Sequence, residues 1–89
     1  MKNVTLNNTD QGDLYVKAWD FNQTDDQGQP ALVQDRVRLN RGQQMNVAVQ
    51  EDGNGNVHFR WWAQLADDAT KTAEHESTDT STDVTTFFG

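Results

Sequence analysis

Apolar and polar side chains alternate along much of residues 1–65, a pattern typical of β-strands. Because successive side chains of a strand point to opposite faces, each strand divides into two sets. Residues 57–65 divide into Val57, Phe59, Trp61, Ala63 and Leu65 on one face, and His58, Arg60, Trp62 and Gln64 on the other. The first set is apolar and predicts a core face. Trp61 is therefore expected to be buried, and Trp62 is not.

Five strands are predicted, over residues 4–6, 14–21, 33–39, 45–49 and 57–65, separated by segments rich in Asn, Asp and Gly. The third and fourth strands are expected to be neighbours across the turn at 40–42. Residues 52–56, Asp-Gly-Asn-Gly-Asn, tolerate positive φ and predict a tight hairpin between the fourth and fifth strands. The expected fold class is a small all-β antiparallel β-sandwich or partly open barrel of five to six strands.

The predicted core collects the apolar face of every strand. It consists of Val4, Leu6, Leu14, Val16, Val33, Val37, Leu39, Met45, Val47, Val49, Val57, Phe59, Trp61 and Leu65. A chain of 89 residues buries a limited share of its surface, so a small stability margin is expected.

The composition changes at Ala66. Residues 1–65 carry a net charge of −2, whereas residues 66–89 carry −5. Residues 66–83 are acidic, rich in Ser and Thr, and have no apolar side chain larger than alanine, which predicts a mobile linker or loop after the β-sandwich core domain of residues 1–65. Residues 84–89 end in two phenylalanines and predict a C-terminal strand or docking segment.

Composition excludes several function classes. The chain has no cysteine, which removes disulfides and thiolate metal sites, and no cofactor is expected. A net charge of −7 disfavours nucleic acid and anionic membrane surfaces as partners, and no membrane insertion is expected. The compartment stays open between the cytoplasm and secretion with a removed signal.

A second set of aromatic and basic side chains lies on the faces opposite the core. Aromatic rings stack on the C–H face of a pyranose, while cationic and imidazole groups hydrogen-bond sugar hydroxyls. This pattern indicates a carbohydrate-binding face, and the alternative is that a loop or the C-terminus covers these rings as further core. The candidate ligand-binding residues are Tyr15, Lys17, Trp19, His58, Arg60 and Trp62.

Catalysis and metal binding find little support in the sequence. Asp52, Asn54 and Asn56 alternate like calcium ligands, but the glycine and glutamate of a calcium loop are absent, so a turn is favoured. The Asp25–Asp26 loop is a second oxygen-rich segment without a specific signal. No catalytic residue and no metal ligand is predicted.

The sequence therefore favours a non-catalytic, lectin-like binding module. The alternative is a self-assembling interaction domain or structural domain. In that case the C-terminal segment would add to a sheet edge of another copy through Val84, Phe87 and Phe88.

Overall fold

The computed structural model describes residues 1–9 and 11–88, so Gly89, the last residue of the predicted C-terminal segment, lies outside it. The elements are β1 (Lys2–Asn7), β2 (Leu14–Thr24), β3 (Pro30–Leu39), β4 (Gln44–Val49), β5 (Phe59–Leu65), β6 (Thr72–Ser77), β7 (Ser81–Asp83) and a 3-10 helix, η1 (Val84–Phe87). No helix of the described residues is long and apolar enough to cross a membrane.

Two sheets face each other as an open sandwich. The three-stranded sheet has the order β4-β1-β7, and the four-stranded sheet has the order β3-β2-β5-β6. Neighbouring strands are antiparallel, except that β1 and β7 run parallel. The predicted all-β sandwich class is confirmed, with seven strands instead of five or six.

The core lies between the two sheets and follows the predicted alternation. Trp61 and Phe59 are its largest side chains, and both are fully buried, whereas Trp62 is half-buried on the opposite face. Ala18, Ala63, Ala73 and Val84 join the buried set, while Val33, Met45 and Leu65 pack against it as partly buried side chains. The prediction that Trp61 is core and Trp62 is not is confirmed.

Two expected strand pairings are wrong. β3 and β4 are not hydrogen-bonded neighbours, because the turn after Leu39 carries the chain from the four-stranded to the three-stranded sheet. The turn at 52–56 forms locally, with the Asp52 N–H donating to the carbonyl of Asn56 at 2.8 Å, and Gly55 has φ 79°. It joins β4 to β5, which belong to different sheets. Turn chemistry predicts where the chain reverses, and not which strands then pair.

The register of β3 also departs from simple alternation. Val16 lies opposite Val37 and Ala18 opposite Gln34, so β3 has one extra residue between these pairs. Arg36 adopts φ 51° in this bulge. Val37 was predicted to be core but is 37% exposed, since it lies on the outermost strand of the wider sheet.

Residues 66–83 differ most from the prediction of a mobile linker or loop. They contain β6, which pairs along its length with β5, and β7, which pairs with β1. The inward positions of β6 hold small or polar side chains, with Ala73 and Ser77 buried. An edge strand of this kind has no large apolar residue to reveal it, because main-chain hydrogen bonds to β5 hold it in place.

The C-terminal segment forms a short 3-10 helix on its own domain, and not a strand. Asp83 caps η1 by accepting a hydrogen bond from the Thr85 N–H. Val84 is fully buried, and the Phe87 ring lies 5.3 Å from Trp61 and 4.4 Å from His75, centroid to centroid. Val84 is therefore engaged within its own chain and offers no surface to a second copy.

Truncation before Val84 is expected to lower the free energy of unfolding by at least about 2 kcal/mol, because it exposes the surface that this valine and Phe88 cover. Urea unfolding would measure the loss, with Thr86→Ala as a control at an exposed position of η1. Sedimentation of the truncated chain would show whether its mass changes too. An unchanged stability would contradict the packing role of the segment.

Candidate functional site

The outer face of the four-stranded sheet brings the predicted ligand-binding residues together. Lys17 lies opposite Trp62, and Trp19 lies opposite Arg60, across the β2–β5 pairing. Tyr15 lies two residues before Lys17 on β2, so its side chain is on the same face. His58 lies just before β5, where its ring stacks on Phe21 at 4.5 Å. The six side chains Tyr15, Lys17, Trp19, His58, Arg60 and Trp62 are all half-buried.

A cationic side chain lies against each of the three predicted ligand-binding rings, those of Tyr15, Trp19 and Trp62. Lys17 Nζ lies 5.3 Å from the centroid of Trp62, and Arg60 Cζ lies 4.9 Å from that of Trp19. Tyr15 has the Arg36 guanidinium carbon at 4.8 Å. These are cation–π distances. The rings are therefore packed among basic side chains, and this arrangement differs from an open aromatic platform.

One corner of this face is tied together by Arg38. Its Nη2 donates to Asp13 Oδ2 at 2.6 Å, and its Nη1 donates to the Tyr15 hydroxyl at 3.3 Å. Arg36, in the bulge of β3, donates to Gln64 Oε1 at 3.3 Å from the same side. Arg36 and Arg38 were not among the predicted ligand-binding residues, because their contacts with Tyr15 depend on the pairing of β3 with β2.

A cleft of about 510 Å³ lies at the other end of the face, beside Trp19. Its volume falls within the range of small-molecule sites. Leu32 lies opposite Trp19 on β3 and is 48% exposed, so it adds apolar surface beside the indole. The cleft is lined by Trp19, Phe21, Asp25, Gln29, Pro30, Leu32, Arg60 and Glu76. The cleft thus combines apolar and polar groups.

The charged groups around the cleft are partly paired with each other. Arg60 Nη2 donates to Glu74 Oε2 at 2.8 Å, and Glu76 Oε2 lies 3.3 Å from His58 Nε2. Asp25 accepts hydrogen bonds from two backbone N–H groups of its own turn. The Nε of Arg60 is buried and has no hydrogen-bond partner among the described residues.

Of the six predicted ligand-binding residues, only Trp19 and Arg60 line this cleft. Tyr15, Lys17, His58 and Trp62 lie on the same face outside it. The other lining residues were not predicted as ligand-binding, and they are Phe21, Asp25, Gln29, Pro30, Leu32 and Glu76. Phe21 lies two residues after Trp19 on β2, so the alternation of side chains places both on one face and could have identified Phe21 from the sequence. Leu32 and Glu76 come from β3 and β6, whose placement depends on pairing.

The oxygen-rich turns are built as ordinary turns. Asp52 Oδ1 accepts from the backbone N–H groups of Asn54 and Asn56 at 2.8 and 3.0 Å, so these residues form a local hydrogen-bonded loop. Across the described residues, no group of three or more His, Cys, Asp or Glu side chains is arranged to hold a metal ion.

Hydrogen bonds lower the pKa of two carboxyl groups near the ends of strands. The backbone N–H of Arg41, followed by the side chain of Arg38, lowers the pKa of Asp13 below its ordinary value. The backbone N–H of Asn56, followed by that of a second asparagine in the turn, lowers the pKa of Asp52. Both carboxylates are therefore favoured in the ionised form when the chain is folded.

Two further carboxyl groups behave the same way. The Thr70 hydroxyl and then its backbone N–H lower the pKa of Asp68. At Asp83, burial by itself raises the pKa, but hydrogen bonds from Thr85 and Thr9 together outweigh burial, and the pKa is lowered.

Stability is expected to fall in acid because of these four groups. Their folded pKa values lie below the unfolded value of about 3.9, so their contribution is complete above that pH and is lost as the pH falls through the lowered values. Urea unfolding midpoints across the acidic range would measure the loss. Asp52→Asn should make the dependence shallower, and an unchanged midpoint down to strongly acidic pH would contradict it.

Comparison with known proteins gives no relative for this face or this fold. No protein-family model, no curated protein and no solved structure matches the chain.

Proposed function

We propose that this chain is a non-catalytic binding module that holds a saccharide in the cleft beside Trp19. The observation that carries the proposal is the composition of the cleft. An indole, a phenyl ring and an exposed leucine provide apolar surface next to a guanidinium, two carboxylates and a carboxamide. Pyranose rings present the matching combination of a C–H face and a rim of hydroxyl groups.

The packing of the face supports a rigid site. Trp19 is held by Arg60, which is itself fixed by Glu74, and Phe21 is held by His58. Rings that are fixed before the ligand arrives lose little side-chain entropy on binding. The cation-covered rings of Tyr15 and Trp62 lie outside the cleft, so their own contact with the ligand is less favoured.

A direct test compares two tryptophans on the same face. Trp19→Ala is expected to weaken binding of a responding glycan by about tenfold or more, because it removes the stacking surface. Trp62→Ala is the matched control, since its ring is also half-buried and cation-paired but lies outside the cleft. Its effect on binding should be small.

Neutral, acidic and amine-bearing oligosaccharides should be screened for binding. Binding would be measured by calorimetry and by NMR chemical shifts of the indole and backbone N–H groups. Shift changes centred on Trp19, Phe21 and Leu32 would support the proposal. The absence of a response to a broad glycan panel would contradict it. An effect of Trp62→Ala equal to that of Trp19→Ala would place the site elsewhere on the face.

A further inference from the structure

The charge in the cleft is unbalanced. Asp25, Glu76 and Arg60 are the charged side chains that line it. The guanidinium of Arg60 already pairs with Glu74 at 2.8 Å and packs on Trp19 at 4.9 Å. Because the single lining cation is neutralised by a carboxylate at the rim, the remaining charge of the cleft is negative. The net charge of −7 on the chain adds to this at long range.

Both lining carboxylates keep an oxygen for a ligand. Asp25 uses Oδ1 to accept from the backbone N–H groups of Gln27 and Gln29, each at 2.9 Å. Glu76 uses Oε2 in its 3.3 Å contact with His58. Asp25 Oδ2 and Glu76 Oε1 accept no hydrogen bond from the rest of the described chain. These two oxygens are acceptors without a donor at the edge of an aromatic cleft.

We infer that the cleft selects saccharides that carry a free amine, such as glucosamine oligomers, and rejects acidic sugars. This inference rests on the proposed saccharide-binding function. The sugar ring would lie against Trp19 and Phe21, and its ammonium group would donate to the free oxygens of Asp25 and Glu76. An ammonium donates up to three hydrogen bonds and pairs with carboxylates, so it is the sugar substituent best suited to a cleft lined by two carboxylates.

An acidic sugar is expected to be repelled by the same two carboxylates. Its carboxylate would approach two like charges, while Arg60 is engaged by Glu74 and by the indole. An N-acetylated sugar keeps the apolar contacts but loses the charge, and its affinity should lie between the two others.

The test is calorimetric titration with three oligomers of equal length, composed of glucosamine, N-acetylglucosamine and galacturonic acid. The titrations are run at low salt and at mildly acidic pH, where the amine is protonated. The expected order of affinity is glucosamine, then N-acetylglucosamine, then galacturonic acid. Added salt should reduce only the preference for the amine, because salt screens exposed charge pairs.

Two variants locate the effect. Glu76→Gln and Asp25→Asn are each expected to weaken glucosamine binding by about two- to fivefold and to weaken N-acetylglucosamine binding by a smaller factor. Both residues are exposed, and asparagine retains the oxygen that closes the turn at Asp25, so the fold should persist. Asp79→Asn is the control, since Asp79 is an exposed carboxylate that does not line the cleft.

The outcomes separate the two proposals. If none of the three oligomers binds, and the broad panel also fails, the saccharide-binding function itself is overturned. If the acetylated or acidic oligomer binds as tightly as glucosamine, the charge selection is overturned and the binding function stands. Equal losses for Asp79→Asn and Glu76→Gln would likewise overturn it, because the preference would then reflect overall charge.

Discussion

Replacing Trp61 by alanine is expected to lower the free energy of unfolding by about 3–5 kcal/mol, the largest loss of any single substitution considered. The indole is fully buried at the centre of the sandwich, lies opposite Ala18 on β2, and contacts Phe87 edge-on. Small domains have total stabilities of about 5–15 kcal/mol, so this loss threatens folding at room temperature. Urea unfolding at neutral pH would measure it.

Trp62→Ala is the matched control for Trp61, because the two indoles are adjacent in sequence and point to opposite faces. Its expected cost is about 1 kcal/mol, from the loss of contact with Lys17 and partial burial. Trp61→Phe adds a finer test. The Trp61 indole nitrogen is buried without an acceptor among the described residues, so phenylalanine removes a desolvated N–H and should cost less than alanine. Equal losses of unfolding free energy for Trp61→Ala and Trp62→Ala would contradict the assignment of these two residues to opposite faces.

Replacing Asp20 by alanine is expected to cost on the order of 3 kcal/mol, because it leaves three part-buried donors without their acceptor and empties a buried position. Asp20 is fully buried within β2. Its Oδ1 accepts from the Asn22 N–H at 2.9 Å, and its Oδ2 accepts from Gln23 Nε2 and the Gln50 N–H, both at 2.7 Å. The bond to Gln50 joins β2 to the end of β4 and so links the two sheets.

The control for Asp20 is Asp52→Ala. Asp52 also accepts two backbone N–H groups, but in an exposed turn where water can replace it, so a clearly smaller loss is expected. The loss for Asp20→Asn should fall between those for Asp20→Ala and Asp52→Ala. The asparagine amide keeps one acceptor oxygen but points its own N–H donors at neighbouring donors. Thermal and urea unfolding of the three variants would rank them. A loss at Asp52 as large as that at Asp20 would contradict the role of burial.

The core was predictable because it depends on a local property. A strand alternates its side chains whatever it pairs with, so parity alone separated Trp61 from Trp62. The same rule did not predict the exposure of Val37, which lies opposite the buried Val16 but on a strand at the edge of the sheet. It also missed β6, whose buried side chains, Ala73 and Ser77, are too small to give an apolar pattern.

The candidate site was predictable only in part. Trp19 and Arg60 could be proposed because each lies on the polar face of a strongly alternating strand. Leu32 and Glu76 could not be joined to them, because they belong to strands whose neighbours are set by pairing across the sheet. Lys17, which covers Trp62, was among the predicted residues, whereas Arg36 and Arg38, which cover Tyr15, were not, because these contacts depend on cross-strand geometry.

The amino-acid sequence by itself determined the all-β class, the inward and outward faces of β2 and β5, and the positions of the turns, since each follows from neighbouring residues along the chain. Only the tertiary structure decided that β4 pairs with β1 and not with β3 or β5. It also decided that residues 66–83 supply two strands and that Val84 enters the core. These features depend on contacts between residues distant in sequence, whose main-chain hydrogen bonds and shared burial are not encoded in any local period. The cleft beside Trp19 is a product of that pairing, because four strands and a loop must meet before it exists.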